Sequence, residues 1–422
     1  MKNIQDFQQL NYGFGYDNLS RRNSLTRPNS INTTYAYDPQ SHLTSILYKL
    51  GTTTLDGATY TYDNAGNRKT RTDKRTNTTL TYTYDNIYQL QTAKQGTTTK
   101  ESYTDDLVGN RLSSLGVSPY TYNSSNWLTS IPGTTYNYDN NGSLTSKSDG
   151  TAYSWDYENR LTQVTLPGAG DTVTFKYDPM GRRIQKAFTQ GATTTTTNYV
   201  YDGPSAIEEV DANGAVLARY TQGAGIDEPL AQFRSSTTSY YDADGLGSIT
   251  SLSNTSGALA NTYTYDSFGK LTASTGTVIN PFQFTARDYD SETGLRYYRA
   301  RYYDSNIGRF TAEDPMGFAE GSNFYRYVEN DPIDHRDPYG LATYQCACDL
   351  AGPTQPMAGE CLYSCVCNDN IFMETTVLFN MNGYFGLKKR CGASLSCPKR
   401  LSARKRTLFG VTVYVPDFAS FF

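Results

Sequence analysis

Two short units carry the chemistry that this sequence offers. Asp314-Pro315-Met316-Gly317 and Asp337-Pro338-Tyr339-Gly340 lie within residues 301–341, and Leu341 follows the second. Two carboxylates that share one proton are enough to hydrolyse a peptide. The ionised one takes a proton from water and the protonated one polarises the carbonyl. Asp-Pro-x-Gly is also an ordinary turn sequence, and on composition alone the turn reading wins. Other chemistries have little support. The two histidines are His42, among repeated segments, and His335, just before Asp337. Neither has a triad partner in the sequence, and there is no HExxH, P-loop or strand-linked GxGxxG motif. No cofactor and no metal site is expected.

Past Leu341 the composition changes. Residues 342–422 hold all seven cysteines: Cys346, Cys348, Cys361, Cys365, Cys367, Cys391 and Cys397. Six could pair as three disulfides after export, leaving one odd thiol. Four could instead bind zinc, although spacings of one, three and five residues are not the usual Cys-x2-Cys. The segment has no histidine, which removes a common general base. Residues 408–415, LFGVTVYV, read as one buried strand. Eight Lys/Arg against five Asp/Glu give the segment +3 and leave −7 on the rest of a chain whose net charge is −4. Its basic clusters read as a solvated face in preference to a patch for nucleic acid or anionic membrane.

The elements that must position Asp314 and Asp337 come from a repeat. Tyr-x-Tyr-Asp recurs at Tyr35–Asp38, Tyr60–Asp63, Tyr82–Asp85, Tyr136–Asp139, Tyr199–Asp202 and Tyr263–Asp266, with looser copies between, such as Tyr177-Asp178. Many are followed by a glycine-containing turn and then a strand-like run with Leu-Thr. Two tyrosines spaced by two face the same side of a strand. Aspartate ends the strand, and Asn or Gly supplies the positive φ of a tight turn. Each unit is therefore a β-hairpin with an aromatic face. A lone hairpin is marginal in water, so the units must pair edge to edge. The tyrosines are read as packing residues. From Pro281 the regular spacing gives way to a dense aromatic and arginine stretch, read as a plug that closes the β structure. Aromatics at 14% argue against disorder.

Residues 1–16 carry no apolar signal core, and no run reaches the length of a membrane span. Export, if it occurs, is expected to use a dedicated machine that delivers the protein outside the cell or to its surface.

The Tyr-Asp units, together with the run FTARDYDSETGLRYYRARYYDSNIGRFTAEDPMGF and the later NFYRYVENDPIDHRDPYGL, resemble the RHS/YD-repeat proteins and their repeat-associated core. The resemblance covers residues 16–341. It implies a mainly β fold: a hairpin sheet spiralling into a shell, incomplete here because the repeat region is short, closed by the core. The implied domains are repeats over 1–238, the core over 239–341 and a variable cysteine-rich domain over 342–422. The family's core is an intramolecular aspartyl protease that cuts after the leucine of Asp-Pro-x-Gly-Leu and leaves a C-terminal effector, often a toxin. The matching positions are Asp314, Asp337 and Arg301, with the cut between Leu341 and Ala342. The family's Asn-Asn-Pro is here Asn330-Asp331-Pro332, which adds a nearby carboxylate. Implied partners are a shell-completing or delivery protein and an immunity protein. The competing reading is an unprocessed, adhesive surface protein that binds glycan or protein; a third is a displaced gene end.

Overall fold

The computed structural model describes the backbone of residues 2–341 and of strands Cys346–Leu350, Glu360–Cys367, Thr376–Asn380, Arg400–Leu408 and Val411–Pro416, and the side chains of residues 2–318 and 321–341. Nearly every described element is a strand, and the three short helices are all 3-10 turns. Eleven consecutive strands, from Asn3–Gln5 to Arg111–Ser114, form one meandering sheet. Sixteen more, from Thr121–Tyr122 to Leu271–Thr275, form a second, unbroken through residue 238. All neighbours in both are antiparallel, and neither closes into a barrel.

The repeat explains this order. The aspartate does more than end a strand: it builds the turn. Asp63 N–H donates to the Asn67 carbonyl (2.9 Å) and Gly66 N–H returns to the Asp63 carbonyl (3.2 Å). Asp63 Oδ1 accepts the N–H groups of Ala65 and Asn67, both at 2.9 Å. Asp17, Asp85, Asp139, Asp156 and Asp178 do the same, and Asn123 and Asn254 stand in for aspartate without loss of the pattern. The third residue after each aspartate has positive φ, as at Gly142 (74°) and Gly181 (79°), which is why glycine recurs there.

The second aromatic of each unit links successive hairpins. Tyr62 donates to the Leu43 carbonyl (2.7 Å), Tyr84 to Arg68 (2.6 Å), Tyr177 to Leu161 (2.6 Å) and Tyr201 to Arg183 (2.8 Å). In each case the acceptor opens the strand after the preceding turn. The strand register shifts at the same tyrosine, for example between Thr61 and Tyr62 and between Lys176 and Tyr177. A bulge at one end of each hairpin bends and twists its strand, so the repeat curls the sheet. The first aromatic is buried, as at Tyr60, Tyr82, Tyr136 and Tyr153. The opposite face carries exposed threonine pairs such as Thr61–Thr70 and Thr83–Thr92, each at 2.7 Å.

The hairpin sheet implied by the repeat is not one uninterrupted ribbon: it breaks between Ser114 and Thr121. Pro119 lies there and has no N–H to give a ladder. The inward face of the first sheet is met by late strands of the second: Arg27 pairs with Asp242, and Asp56 accepts from Thr250 (2.7 Å) and Ser251 (2.6 Å). The remaining aromatic face packs on residues 281–341. Tyr298, Tyr303, Phe310 and Tyr327 cluster with Tyr82, Leu90 and Tyr103 of the first sheet, while Tyr297 and Tyr302 cluster with Tyr136, Tyr153 and Phe175 of the second.

The chain divides into a compact unit of residues 1–317 with 322–341, and a second of residues 318–321 with 342–422. In the second, five strands form one antiparallel sheet whose register sets Cys346 opposite Cys367 and Cys348 opposite Cys365. The stretch read as one strand over 408–415 is split. Arg400–Leu408 and Val411–Pro416 pair with each other, Leu408 opposite Val411, because an antiparallel partner satisfies the backbone groups that a lone strand would leave open.

Candidate active site

Residues 281–341 build the site from short-range turns. Strands Leu295–Tyr298 and Arg301–Asp304 form a hairpin with Tyr298 opposite Arg301, so Arg299 and Ala300 are its two-residue turn. Arg301 opens the second strand, and its guanidinium lies on the Phe310 ring at 3.6 Å. Its Nη1 donates to the Phe324 carbonyl (2.8 Å) and its Nε to the Gly340 carbonyl (2.5 Å).

Both Asp-Pro-x-Gly units are turns, as their composition says. Met316 N–H donates to Asp314 Oδ1 (2.8 Å), and Gly317 N–H to the Asp314 carbonyl (2.9 Å). Tyr339 and Leu341 N–H groups donate to Asp337 Oδ1, both at 3.1 Å. Each aspartate thus spends one oxygen on its own turn and turns the other toward Arg301. Arg301 Nη2 lies 2.7 Å from Asp314 Oδ2 and 3.6 Å from Asp337 Oδ2. Arg301 and Asp337 are each 2% exposed and Asp314 is 6% exposed, so water screens this triad poorly.

One cation faces two carboxylates, which makes protonation of one of them favourable. Burial pushes Asp337 up to about 7; Arg301 offsets part of that and Asp314 adds to it. Asp337 Oδ2 makes no hydrogen bond among the described residues. A buried carboxyl that holds its proton near neutrality, beside an arginine-paired carboxylate, has the acid and base parts of peptide hydrolysis.

The sequence candidates Arg301, Asp314 and Asp337 therefore converge, and Leu341 is fastened to Asp337. Ala342 lies outside the described residues, as do Cys391, Cys397 and the side chains of Cys346, Cys348, Cys361, Cys365 and Cys367. The added carboxylate Asp331 turns away to His335 Nδ1 (3.1 Å), and that bond raises the His335 pKa. Its neighbour Asn330 donates to Gln89 (3.0 Å) and to the Gly109 carbonyl (3.0 Å), tying the segment to the first sheet. His42 pairs with Asp38 and stacks on Tyr62. Among the described residues no group of three or more His, Cys, Asp or Glu is placed to hold a metal. Sequence reasoning gave no weight to Arg299, a bulky residue in a two-residue hairpin turn, where glycine is favoured.

Comparison with known proteins agrees with this fold. The model of the teneurin YD-shell matches residues 74–333. The tRNA3(Ser)-specific nuclease WapA of Bacillus spizizenii is 35% identical over 276 residues, covering 61% of this chain and 12% of WapA. The toxin protein Tse5 of Pseudomonas aeruginosa is 26% identical over 369 residues, covering 78% of this chain and 27% of Tse5. The chain thus spans about an eighth to a quarter of these relatives' length. The crystal structure of TcdB2-TccC3-Cdc42 superposes with a TM-score of 0.67 at 20% identity, over 80% of this chain and 20% of that one.

Proposed function

The chain belongs to the teneurin YD-shell family, and on that premise we propose that it is a self-cleaving toxin carrier. Residues 1–341 form the β carrier with its core, and residues 342–422 are a small effector released by a cut after Leu341. The observation that carries the reading is the meeting of Asp314 and Asp337 on one nitrogen of Arg301, next to a Leu341 whose N–H is held by Asp337. Asp337 gives its proton to the Leu341 carbonyl oxygen while Asp314 takes one from the attacking water. The water oxygen bonds to the Leu341 carbonyl carbon; Asp314 then passes its proton to the Ala342 nitrogen as the C–N bond breaks, and a hydroxyl of the tetrahedral intermediate returns a proton to Asp337. The products are a Leu341 carboxylate and a new Ala342 amine, so the enzyme turns over once. A reaction within one chain needs no encounter, and the fraction cut is independent of protein concentration.

The names of the relatives, a tRNA nuclease and a toxin, support an effector of the toxin class. They also support delivery outside the producing cell by a dedicated machine, a shell-completing or delivery partner, and an immunity protein. No described helix is long and apolar enough to cross a membrane. The test is denaturing mass analysis with N-terminal sequencing of the small fragment, which should begin Ala342-Thr343-Tyr344. Asp314→Asn and Asp337→Asn should each stay whole, and Asp331→Asn should still cut. An intact wild-type chain, or a fully cut double variant, rejects the mechanism; the intact chain is what an adhesive surface protein would give.

A further inference from the structure

Three successive carbonyls ahead of the proposed cut are held by three successive residues, the two of one hairpin turn and the first of the strand that follows it. Arg299 donates from Nη1 to Pro338, Ala300 N–H donates to Tyr339 (3.0 Å), and Arg301 Nε donates to Gly340 (2.5 Å). Gly340 is pressed so close to this turn that an added Cβ would sit 2.2 Å from the Tyr298 carbonyl oxygen. The segment 338–340 is therefore laid along residues 299–301 and strapped there.

Arg299 is an unusual choice for that strap. Its φ is +62°, a left-handed conformation that strains a bulky residue and that glycine adopts freely. A strained residue that persists at such a place points to a job for its side chain. The guanidinium reaches Asp227 twice (Nη2 to Oδ1 2.6 Å, Nη1 to Oδ2 3.2 Å), the Pro204 carbonyl (3.2 Å) and the face of Tyr339 (5.4 Å). Asp227 comes from the repeat sheet, in the loop between strands Val216–Gln222 and Pro229–Arg234. Its side chain is 4% exposed, and Arg287 holds it from the other side at 2.6 Å. Arg287 is itself fixed by two bonds to the Tyr297 carbonyl (3.1 and 2.7 Å).

We propose that Asp227 and Arg299 are positioning residues for the self-cleavage. Asp227 aims Arg299, Arg299 fixes the Pro338 carbonyl, and the Leu341 peptide is thereby presented to Asp314 and Asp337. Neither touches the reacting atoms. Because Asp227 is delivered by the second sheet, the strap is complete only once those repeat strands have formed. The cut therefore waits for the carrier to fold. This inference rests on the self-cleavage reading, and its test separates the two.

The experiment follows the fraction of full chain cut with time after cell-free synthesis is stopped, across pH. Arg299→Gly is the cleaner variant, because glycine relaxes the positive φ and only the guanidinium is lost. Asp227→Asn is the second, keeping shape and one acceptor oxygen. Both should cut about 10–100-fold more slowly, the size expected of a misplaced but otherwise intact site. The pH midpoint should not move, because the triad of Arg301, Asp314 and Asp337 is untouched, and the melting temperature of Arg299→Gly should match wild type. Arg299→Lys should not restore the rate, since one ammonium cannot bridge Asp227 and Pro338. An uncut wild-type chain overturns the self-cleavage reading. A normal wild type with both variants within about twofold of its rate overturns the positioning role alone. So does slow cutting accompanied by a shifted pH midpoint or a lowered melting temperature in Arg299→Gly.

Discussion

Replacing Asp337 with Asn should abolish the cut and at the same time stabilise the fold above neutral pH. Asparagine keeps the oxygen that accepts from Tyr339 and Leu341, but it has no carboxyl proton to give. The gain in stability follows from the site itself. Burial, offset in part by Arg301 and reinforced by Asp314, pushes Asp337 up to about 7 from an ordinary 3.8. That is about three units, and at about 1.4 kcal/mol per unit the ionised side chain costs the fold up to about 4 kcal/mol. The folded state binds this proton more tightly than the unfolded one. Wild-type stability therefore falls as pH rises from about 4 to about 7, and the penalty vanishes below about pH 4, where both states are protonated. The comparison needs uncut chains, so both partners carry Ala342→Pro to block the scissile bond. For the unit of about 340 residues, with roughly 2 cal/mol/K of unfolding entropy per residue, 4 kcal/mol corresponds to about 6 °C. Melting curves of the two chains should coincide near pH 4 and separate by up to about 6 °C near pH 8, with the Asn chain higher. Equal melting at every pH, or a less stable Asn chain near pH 8, would refute the reasoning about the raised carboxyl.

The turn aspartates should behave differently. Asp139→Ala loses two turn hydrogen bonds and should cost about 1–3 kcal/mol in urea unfolding; Asp139→Asn should be nearly neutral, since Asn123 and Asn254 already build the same turn. Tyr201→Phe removes the bond to the Arg183 carbonyl and should cost about 1 kcal/mol. Arg27→Ala strands the fully buried Asp242, whose pKa burial has raised to about 6 against the pull of Arg27. It should cost about 3–5 kcal/mol near pH 8 and less near pH 5, where the carboxyl is protonated. If the tail is disulfide-bonded, proteolytic mapping should find Cys346 linked to Cys367 or Cys348 to Cys365, as their register places them; seven free thiols in active material, or stoichiometric zinc, would show otherwise.

What the sequence determined by itself is everything that acts over a few residues. Tyr-x-Tyr-Asp-x-x-Gly specifies a hairpin because the aspartate bonds lie within four residues of it and the glycine tolerates the φ they demand. The aromatic alternation specifies one buried face for the same local reason. Even the turn character of Asp314 and Asp337 was legible from Asp-Pro-x-Gly. The tertiary structure decided which aspartates are anything more than turns. Asp63 and Asp337 spend Oδ1 in the same way, yet the Asp63 pKa is lowered by its turn bonds while that of Asp337 is raised by burial. No local pattern records that difference, because it depends on what covers the second oxygen. Likewise Arg299 meets Asp227 across 72 residues and Arg27 meets Asp242 across 215. Any of this chain's arginines could pair with any of its carboxylates by type. Only the curl of the ribbon and the plug it wraps decide which do, since a charge pair buried away from water is tolerated only where packing has brought its partner to it.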